Sequence, residues 1–173
     1  MIMKITGAIL IIVSCGMGGM LYSNRYIYRL ESLKSLSICI EMLRSEIVYG
    51  HTPLTQASKT IAEKISGPVA DIFNDFSDLL AAKKGYTASQ AFQRALDKNS
   101  AGLCVNVEEM NLFKTMGKMI GTSDTENQEK SLNLLSRQLE VLIDKSMTDR
   151  DKNVKMYRSL GLLGGLGLAI LLL

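Results

Sequence analysis

The sequence predicts an all-α protein, an antiparallel bundle of about six helices whose first and last members extend into transmembrane helices. Three observations predict this class. Apolar residues in the middle of the chain recur at the three- and four-residue spacing of a packed helix. Both ends are apolar, over residues 5–22 and 160–173, without Lys, Arg, His, Asp or Glu. No run of alternating β-branched residues lies between these ends, so no strand is predicted.

Charged residues are confined to the middle of the chain. Of 20 basic and 17 acidic residues, all but Lys4 lie between Arg25 and Arg158. This layout predicts one domain held to a membrane by an apolar helix at each end. The predicted divisions are an N-terminal transmembrane helix at residues 1–24, a cytoplasmic helical bundle at residues 25–155 and a C-terminal transmembrane helix at residues 156–173.

The length and flanking charges of the two apolar stretches predict their topology. The first has about 18 residues, roughly 27 Å as a helix, which is enough to cross a bilayer core. The second, about 14 residues or roughly 21 Å, spans if Arg158 extends back to the headgroups. Basic residues flank both stretches on the middle-domain side: Arg25, Arg29, Lys152, Lys155 and Arg158. The positive-inside rule therefore predicts a cytoplasmic middle domain and two termini across the membrane.

An alternative interpretation treats the N-terminus as a lipoprotein signal. Residues 12–15 resemble a lipobox, and cleavage before Cys15 would place the middle domain outside the cell. The apolar stretch continues past Cys15 to Leu21, however, where a signal would already have ended. The basic cluster ahead of the second stretch would also have to be exported. The two-span topology is therefore preferred.

Small residues in both stretches have the spacing of packed membrane helices. Gly161 and Gly165 lie four residues apart, on one face of the predicted helix, where small residues let helices approach closely in lipid. We predict that these two glycines pack the terminal helices together. The alternative is that glycine is simply common in membrane helices. The first stretch has two similar pairs: Ser14 with Gly18, and Cys15 with Gly19.

The helices of the middle domain are predicted from apolar spacing and start signals. The first continues from the N-terminal stretch to near Gly50, with an apolar seam of Leu33, Leu36, Ile40, Leu43 and Ile47. Thr52 ahead of a proline predicts an N-cap for a helix over residues 53–65. Gly67, also ahead of a proline, predicts a helix over residues 68–84.

Three capping boxes predict the remaining starts. They are Thr87 with Gln90, Asn106 with Glu109, and Ser123 with Glu126. The first two open helices over residues 88–98 and 107–121. The third opens the longest segment, which has no glycine or proline before Gly161 and should therefore continue into the C-terminal span. Its buried seam is predicted to be Leu132, Leu135, Leu139 and Leu142.

The sequence lacks the motifs of the common catalytic classes. It has no phosphate-binding loop, no nucleophile elbow, no zinc-protease motif and no Ser-x-x-Lys pair. His51 is the only histidine, and the three cysteines are scattered without a metal-binding spacing. No basic run is interleaved with aromatic residues, which argues against nucleic-acid binding. We therefore predict a protein that is not an enzyme and has no cofactor.

Two acidic groups have structural interpretations. Asp71, Asp75 and Asp78 would line one face of a helix, where a solvated surface is preferred over a divalent-ion site. Glu108 and Glu109 lie in a predicted first turn, where carboxylates complement the helix dipole. Neither group is predicted to be catalytic.

Three stretches carry a resemblance to a known family: EIVYGHTPLTQA at residues 46–57, MGKMIGTSDTENQEK at 116–130 and KMYRSLGLLGGLGLAILLL at 155–173. Together they resemble the stage III sporulation protein AB family of endospore-forming bacteria, across essentially the whole chain. That family is more remotely similar to the cytoplasmic domain of the inner-membrane platform protein of type II secretion and type IV pilus machines.

The resemblance implies a non-enzymatic platform in a sporulation channel complex required for endospore formation. The chain would lie in the mother-cell membrane around the forespore, beside a secretion-type ATPase and ring-forming proteins between the two membranes. A homo-oligomer is compatible with this role. The competing hypothesis from the residues alone is a membrane-tethered regulatory adaptor unrelated to transport.

We predict that contacts with the ATPase fall near the turn farthest from the membrane. The candidate residues are Arg44, Glu46, Tyr49 and His51. The alternative is that Tyr49 packs in the bundle and Arg44 pairs along its own helix with Glu41 or Glu46.

Overall fold

The computed structural model describes residues 2–46, 50, 52–120 and 125–172. These residues form six α-helices and no strand, which confirms the predicted fold class. A short 3₁₀ turn, Ser100–Gly102, was not predicted. The helices are α1 (Ile2–Ser45), α2 (Leu54–Lys64), α3 (Pro68–Ala81), α4 (Ala88–Asn99), α5 (Val107–Met119) and α6 (Thr125–Leu172).

The chain forms two compact units. The terminal unit consists of Met1–Leu30 together with Lys145–Leu173, and the central unit is Glu31–Asp144. Helices α1 and α6 each contribute residues to both units. The prediction that the longest segment continues without a break into the C-terminal apolar stretch is confirmed by the bounds of α6.

The core of the central unit is built around phenylalanines. The ring of Phe92 on α4 meets Phe76 edge-on at 5.3 Å between ring centroids and Phe73 at 6.0 Å, both from α3. Such edge-to-face pairs are favourable beyond the apolar area they bury. A methyl group at Gly117 of α5 would lie 2.5 Å from Cδ1 of Phe92, so α5 approaches α4 closely only because this position is glycine.

The predicted apolar seams are buried where the structure describes them. Leu33, Leu36, Ile40 and Leu43 of α1 lie in the core, as do Leu132, Leu135, Leu139 and Leu142 of α6. Ile47, the last predicted member of the first seam, lies outside the described residues. The three- and four-residue spacing thus identified the buried faces of both long helices.

Two predicted capping boxes are present with both of their hydrogen bonds. The backbone N–H of Gln90 donates to Oγ1 of Thr87 at 3.2 Å, and the N–H of Thr87 donates to Oε1 of Gln90 at 3.1 Å. The pair Asn106 and Glu109 has the same reciprocal bonds, at 2.8 and 2.9 Å. Ser123, the predicted third cap, lies outside the described residues, as does Gly121, the predicted end of α5.

Three predicted boundaries are wrong. Helix α1 ends at Ser45 and not near Gly50, because the backbone changes to a π-helical turn at Glu46. Pro53, and not Thr52, is the N-cap of α2, because the carbonyl of Pro53 accepts the first helical hydrogen bond, from the N–H of Ala57 at 3.0 Å. The hydroxyl of Thr52 donates to the carboxylate of Glu46 at 2.6 Å. Helix α3 ends at Ala81, earlier than predicted, since the chain enters the left-handed region at Lys83 (φ 47°) and Gly85 (φ 79°). A left-handed backbone cannot continue a right-handed helix.

Candidate functional site: the terminal helix pair

Helices α1 and α6 pack against each other in the terminal unit. The contacts run antiparallel, because residue numbers rise along one helix as they fall along the other. In order they are Ile12 with Gly165, Cys15 with Gly161, Tyr22 with Tyr157, and Arg29 with Asp149. These contacts extend over both the apolar and the charged parts of the pair.

Glycines bring the two backbones together in the apolar part. A methyl group at Gly19 would lie 2.6 Å from the carbonyl oxygen of Tyr157, and one at Gly161 would lie 2.9 Å from that of Cys15. A methyl group at Gly165 would lie 3.0 Å from Cα of Ile12. Any larger residue at these positions must push the helices apart.

Other glycines of the same segments have no such role. Methyl groups at Gly16, Gly18, Gly164 and Gly167 would meet nothing within 4 Å. Gly161 and Gly165 therefore lie on the face of α6 that meets α1, whereas Gly18 of α1 does not meet α6.

The outer surface of the pair is apolar. Two described helices are long and apolar enough to cross a membrane, one near each end of the chain. Only 6% and 11% of their most apolar windows are buried within the structure. Large side chains are accordingly exposed on both helices, among them Leu10, Val13, Leu163 and Ile170. A surface of this kind is typical of a face that contacts lipid or another protein.

Aromatic and charged side chains follow the apolar part. The ring of Tyr157 lies 4.6 Å from that of Tyr22 and 6.0 Å from that of Tyr26, measured between centroids. One helical turn further on, Nη1 of Arg29 lies 3.0 Å from Oδ2 of Asp149, and the arginine side chain is largely buried. Tyrosines between an apolar surface and a charged one are typical of a membrane interface.

Two of the four predicted ATPase contacts, Arg44 and Glu46, lie among the described residues of the central unit, and both form contacts within the chain. Nη2 of Arg44 is 2.7 Å from Oε2 of Glu41, and its Nη1 donates to Oδ1 of Asn133 on α6 at 2.6 Å. Glu46 accepts the hydrogen bond from Thr52. Arg44 thus has the pairing along its own helix that was considered as the alternative. Tyr49 and His51 lie outside the described residues.

The acidic face of α3 contains a structural ion pair. Oδ1 of Asp75 is 2.8 Å from Nζ of Lys98, and its Oδ2 accepts from the side-chain amide of Asn99 at 2.6 Å. These hydrogen bonds hold the pKa of the Asp75 carboxyl below its usual value, the bond from Lys98 contributing most. Asp75 therefore joins α3 to α4. Among the described residues, no group of three or more His, Cys, Asp or Glu side chains could hold a metal ion.

A concave apolar surface on the central unit was missed by the sequence analysis. It has a volume of about 390 Å³ and is lined by Glu108, Leu112, Gln138, Val141 and Leu142. Val141 and Leu134 are exposed on α6, seven residues apart and away from the buried leucine seam. Spacing identified the leucine seam of α6 as its buried face, but it did not indicate that Leu112 of α5 and Val141 of α6 line one concave surface.

Comparison with known proteins decides the family. The family model for stage III sporulation protein AB matches residues 4–173. The chain belongs to this family. Stage III sporulation protein AB of Bacillus subtilis (strain 168) is 34% identical to it over 171 residues, which is 99% of each chain. The resemblance stated from the three sequence stretches is confirmed.

A solved structure of the same family agrees with the fold. The structure of a stage III sporulation protein AB (SpoIIIAB) superposes with a TM-score of 0.68 at 30% sequence identity. The match covers 98% of that chain and 72% of the chain described here. Membership of the stage III sporulation protein AB family gives the chain a role in sporulation.

Proposed function

We propose that this chain is a non-enzymatic platform of a sporulation channel complex linking mother cell and forespore. In this role it lies in the mother-cell membrane around the forespore and couples a cytoplasmic secretion-type ATPase to membrane and ring-forming intermembrane proteins. The observation that carries the membrane part of the proposal is the terminal helix pair. Its inner face is packed through glycine backbones, and its outer face exposes large apolar side chains that lipid would cover.

The distribution of charge supports the proposed topology. On the terminal unit, basic side chains follow the apolar part of each helix on the side that continues into the central unit: Arg25, Arg29, Lys152, Lys155 and Arg158. By the positive-inside rule, the central unit faces the mother-cell cytoplasm and both termini face the intermembrane space. This topology exposes the central unit to the cytoplasmic ATPase.

The continuity of the two long helices supports coupling. Helix α1 has no break between Ile2 and Ser45, and α6 has none between Thr125 and Leu172. An uninterrupted helix transmits a displacement along its axis better than a flexible linker does. Arg44, Glu46, Tyr49 and His51 remain our candidates for the ATPase contact. A membrane-tethered adaptor would also need anchors but would not need the ATPase.

Thiol labelling tests the topology. In inverted and right-side-out membrane vesicles, a membrane-impermeant maleimide is applied to two chains, each with a single cysteine. One retains only Cys104, which is partly exposed, and the other lacks native cysteines and carries Lys114→Cys, an exposed position of α5. Labelling only in inverted vesicles is expected. Labelling only in right-side-out vesicles contradicts the topology and supports the lipoprotein alternative.

Co-purification tests the platform role. The affinity-tagged full chain is isolated in mild detergent from sporulating cells after cross-linking, and its partners are identified by mass spectrometry. A tagged chain with Arg44→Ala and Glu46→Ala is the matched variant. The proposal predicts the secretion-type ATPase and ring-forming proteins with the unaltered chain, and less ATPase with the variant. Recovery of a soluble regulator in place of the ATPase contradicts the platform role and favours the adaptor.

A further inference from the structure

A groove lies on the terminal unit where the charged part of the helix pair begins. It has a volume of about 360 Å³. Its lining comes from one residue of α1 and five of α6: Ile27, Arg150, Asp151, Val154, Lys155 and Arg158. The α6 residues at 151, 154, 155 and 158 recur at the spacing of one helix face, so the groove follows that face lengthwise.

The groove is basic, and part of its charge has no partner. Its walls carry three basic side chains and one carboxylate, a net charge of +2. The carboxylate of Asp151 accepts hydrogen bonds from both Nε (2.9 Å) and Nη2 (2.6 Å) of Arg150. Lys155 and Arg158, three residues apart, have no ion pair in the described part of the chain. Two like charges at this spacing repel each other, and an anion between them would remove that repulsion.

The surroundings of these two cations select an amphiphile over a soluble anion. Val154 and Ile27 give the groove an apolar floor. The helix face that carries Lys155 and Arg158 continues into Leu162 and then Leu166, which are 53% and 41% exposed. A ligand on this face thus meets positive charge first and an exposed apolar strip next. Basic pockets between transmembrane helices on the cytoplasmic side are suited to anionic lipid headgroups.

The tyrosines place the groove at headgroup depth if the pair spans a bilayer. Tyr157 lies between Lys155 and Arg158 in the sequence, and its ring contacts those of Tyr22 and Tyr26 of α1. Tyrosine rings favour the boundary between acyl chains and headgroups. The ammonium and guanidinium groups beside them therefore lie at the depth of lipid phosphates.

We propose that the groove binds one anionic phospholipid, with its phosphodiester between Lys155 and Arg158 and an acyl chain along Leu162 and Leu166. This inference rests on the proposed membrane placement and deepens it by naming a lipid class. The bound lipid fills the space between α1 and α6 on one side of the pair. Phosphatidylglycerol is the probe we choose for the test, since its headgroup carries a single phosphodiester charge.

Native mass spectrometry of the full chain in non-ionic detergent tests the site. Dioleoylphosphatidylglycerol and dioleoylphosphatidylcholine are titrated separately, and the first bound lipid is quantified. The test variant is Lys155→Gln with Arg158→Gln. The charge-matched control is Arg25→Gln with Lys152→Gln, which removes two exposed basic side chains of the same unit that do not line the groove. Circular dichroism checks that every variant remains helical.

The expected result is selective and position-specific binding. Each basic side chain near an anionic headgroup contributes about fivefold in affinity, so the test variant should lose roughly 25-fold for phosphatidylglycerol. The charge-matched control should lose about threefold or less. The exchange Lys155→Arg with Arg158→Lys keeps both charges and should bind within about twofold of the unaltered chain, because either basic side chain attracts an anionic headgroup to a similar extent. Phosphatidylcholine should bind weakly to all four chains.

Four outcomes overturn the lipid site. They are equal losses in the two Gln variants, phosphatidylcholine binding as tightly as phosphatidylglycerol, lost binding in the conservative exchange, and displacement of the lipid by equimolar inorganic phosphate, which would indicate a soluble-anion site. Membrane fractionation of the same chains separates this inference from the proposed function. A chain that stays in carbonate-washed membranes without selecting the anionic lipid contradicts only the site. A chain that is washed out contradicts the membrane platform itself.

Discussion

Gly19 of α1 and Gly161 of α6 meet face to face in the terminal unit. A methyl group on either glycine would lie 3.2 Å from the Cα of the other. The helices approach this closely because neither residue has a side chain between the two backbones. Close backbone packing of this kind at small residues favours the association of two helices.

Replacing Gly161 should loosen the terminal helix pair. We expect Gly161→Leu to lower the free energy of unfolding by about 1–3 kcal/mol, because the new side chain overlaps the α1 backbone. Gly164→Leu is the control, since that position meets nothing within 4 Å. Thermal unfolding of the full chain in detergent, followed by circular dichroism, measures both. Equal melting temperatures for the two variants would contradict the packing described here.

Gly117 should tolerate an added side chain as poorly as Gly161 does, because of a contact within the central unit. A methyl group there overlaps the ring of Phe92, which other phenylalanines hold in place. We expect Gly117→Ala to cost about 1–3 kcal/mol, whereas Ala is ordinarily the better helix former. Lys118→Ala, at the next and exposed position, should change stability by less than about 0.5 kcal/mol. Urea unfolding of the full chain distinguishes them, and a stabilising Gly117→Ala refutes the prediction.

Arg44 and Asn133 should be energetically coupled. Their side chains join α1 to α6 by a hydrogen bond of 2.6 Å between residues 89 positions apart. A double-mutant cycle of Arg44→Ala and Asn133→Ala should give a coupling free energy of about 0.5–1.5 kcal/mol. A second cycle, of Arg44→Ala and Glu41→Ala, should give a smaller coupling free energy, because the ion pair between Arg44 and Glu41 is exposed. Strict additivity of the Arg44 and Asn133 variants would exclude the hydrogen bond.

Asp75 should make stability depend on pH in the acid range. Its pKa in the folded chain is lowered, chiefly by the hydrogen bond from Lys98. A lowered folded pKa means that the contribution is fully present above the unfolded pKa, about 3.9, and is lost as pH falls through the folded value. At neutral pH, Asp75→Asn should therefore lower the free energy of unfolding, by less than about 1 kcal/mol because the pair is partly exposed. Below about pH 4, the stability of the variant should fall less with decreasing pH than that of the unaltered chain.

Asp71→Asn is the control for this pH dependence. It lies on the same helix and has no ion pair in the described residues. Melting temperatures between about pH 2 and about pH 6 measure the effect, a range that spans about two units on either side of the reference pKa. If the two variants have parallel profiles, the Lys98 contact does not hold in solution.

Cysteine reactivity should follow burial. Cys39 is fully buried in the core of the central unit, whereas Cys104 is partly exposed. A maleimide should therefore label Cys104 first, and Cys39 should react more than about tenfold slower because its labelling must wait for local opening. Peptide mass spectrometry after timed quenching measures both rates. Equal rates in the folded chain would contradict the placement of Cys39, and equal rates in denaturant are the control.

Much of the fold was predictable from the sequence because its signals are local. The capping boxes at Thr87 and Asn106 were predicted and found, since a cap joins residues only three positions apart. The leucine seams were predicted because burial on one helix face leaves a periodic pattern. Thr52 misled the prediction, because its hydroxyl bonds backward to Glu46 and not forward into α2. A sequence motif does not show with which of two neighbouring groups a side chain will form its hydrogen bond.

The candidate sites were less predictable because they depend on distant partners. The spacing of Gly161 and Gly165 indicated a packing face, but the first stretch offered two similar pairs, and spacing did not indicate that the pair of Cys15 and Gly19 is the one that meets α6. Arg44 was proposed as a partner contact, yet one of its nitrogens donates to Asn133. The groove around Lys155 and Arg158 needs Ile27 from the other end of the chain to complete its lining.

The sequence alone determined that the chain is helical, where most helices begin, which faces are buried and which family it belongs to. Helix formation and capping act within about four residues, so each signal is complete in a short stretch of sequence. Only the tertiary structure decided which glycines touch, which charges are paired and where a groove opens. Those properties arise when α1 and α6, from opposite ends of the chain, lie side by side, and a periodic pattern in one helix does not name the residues of the other helix that it meets.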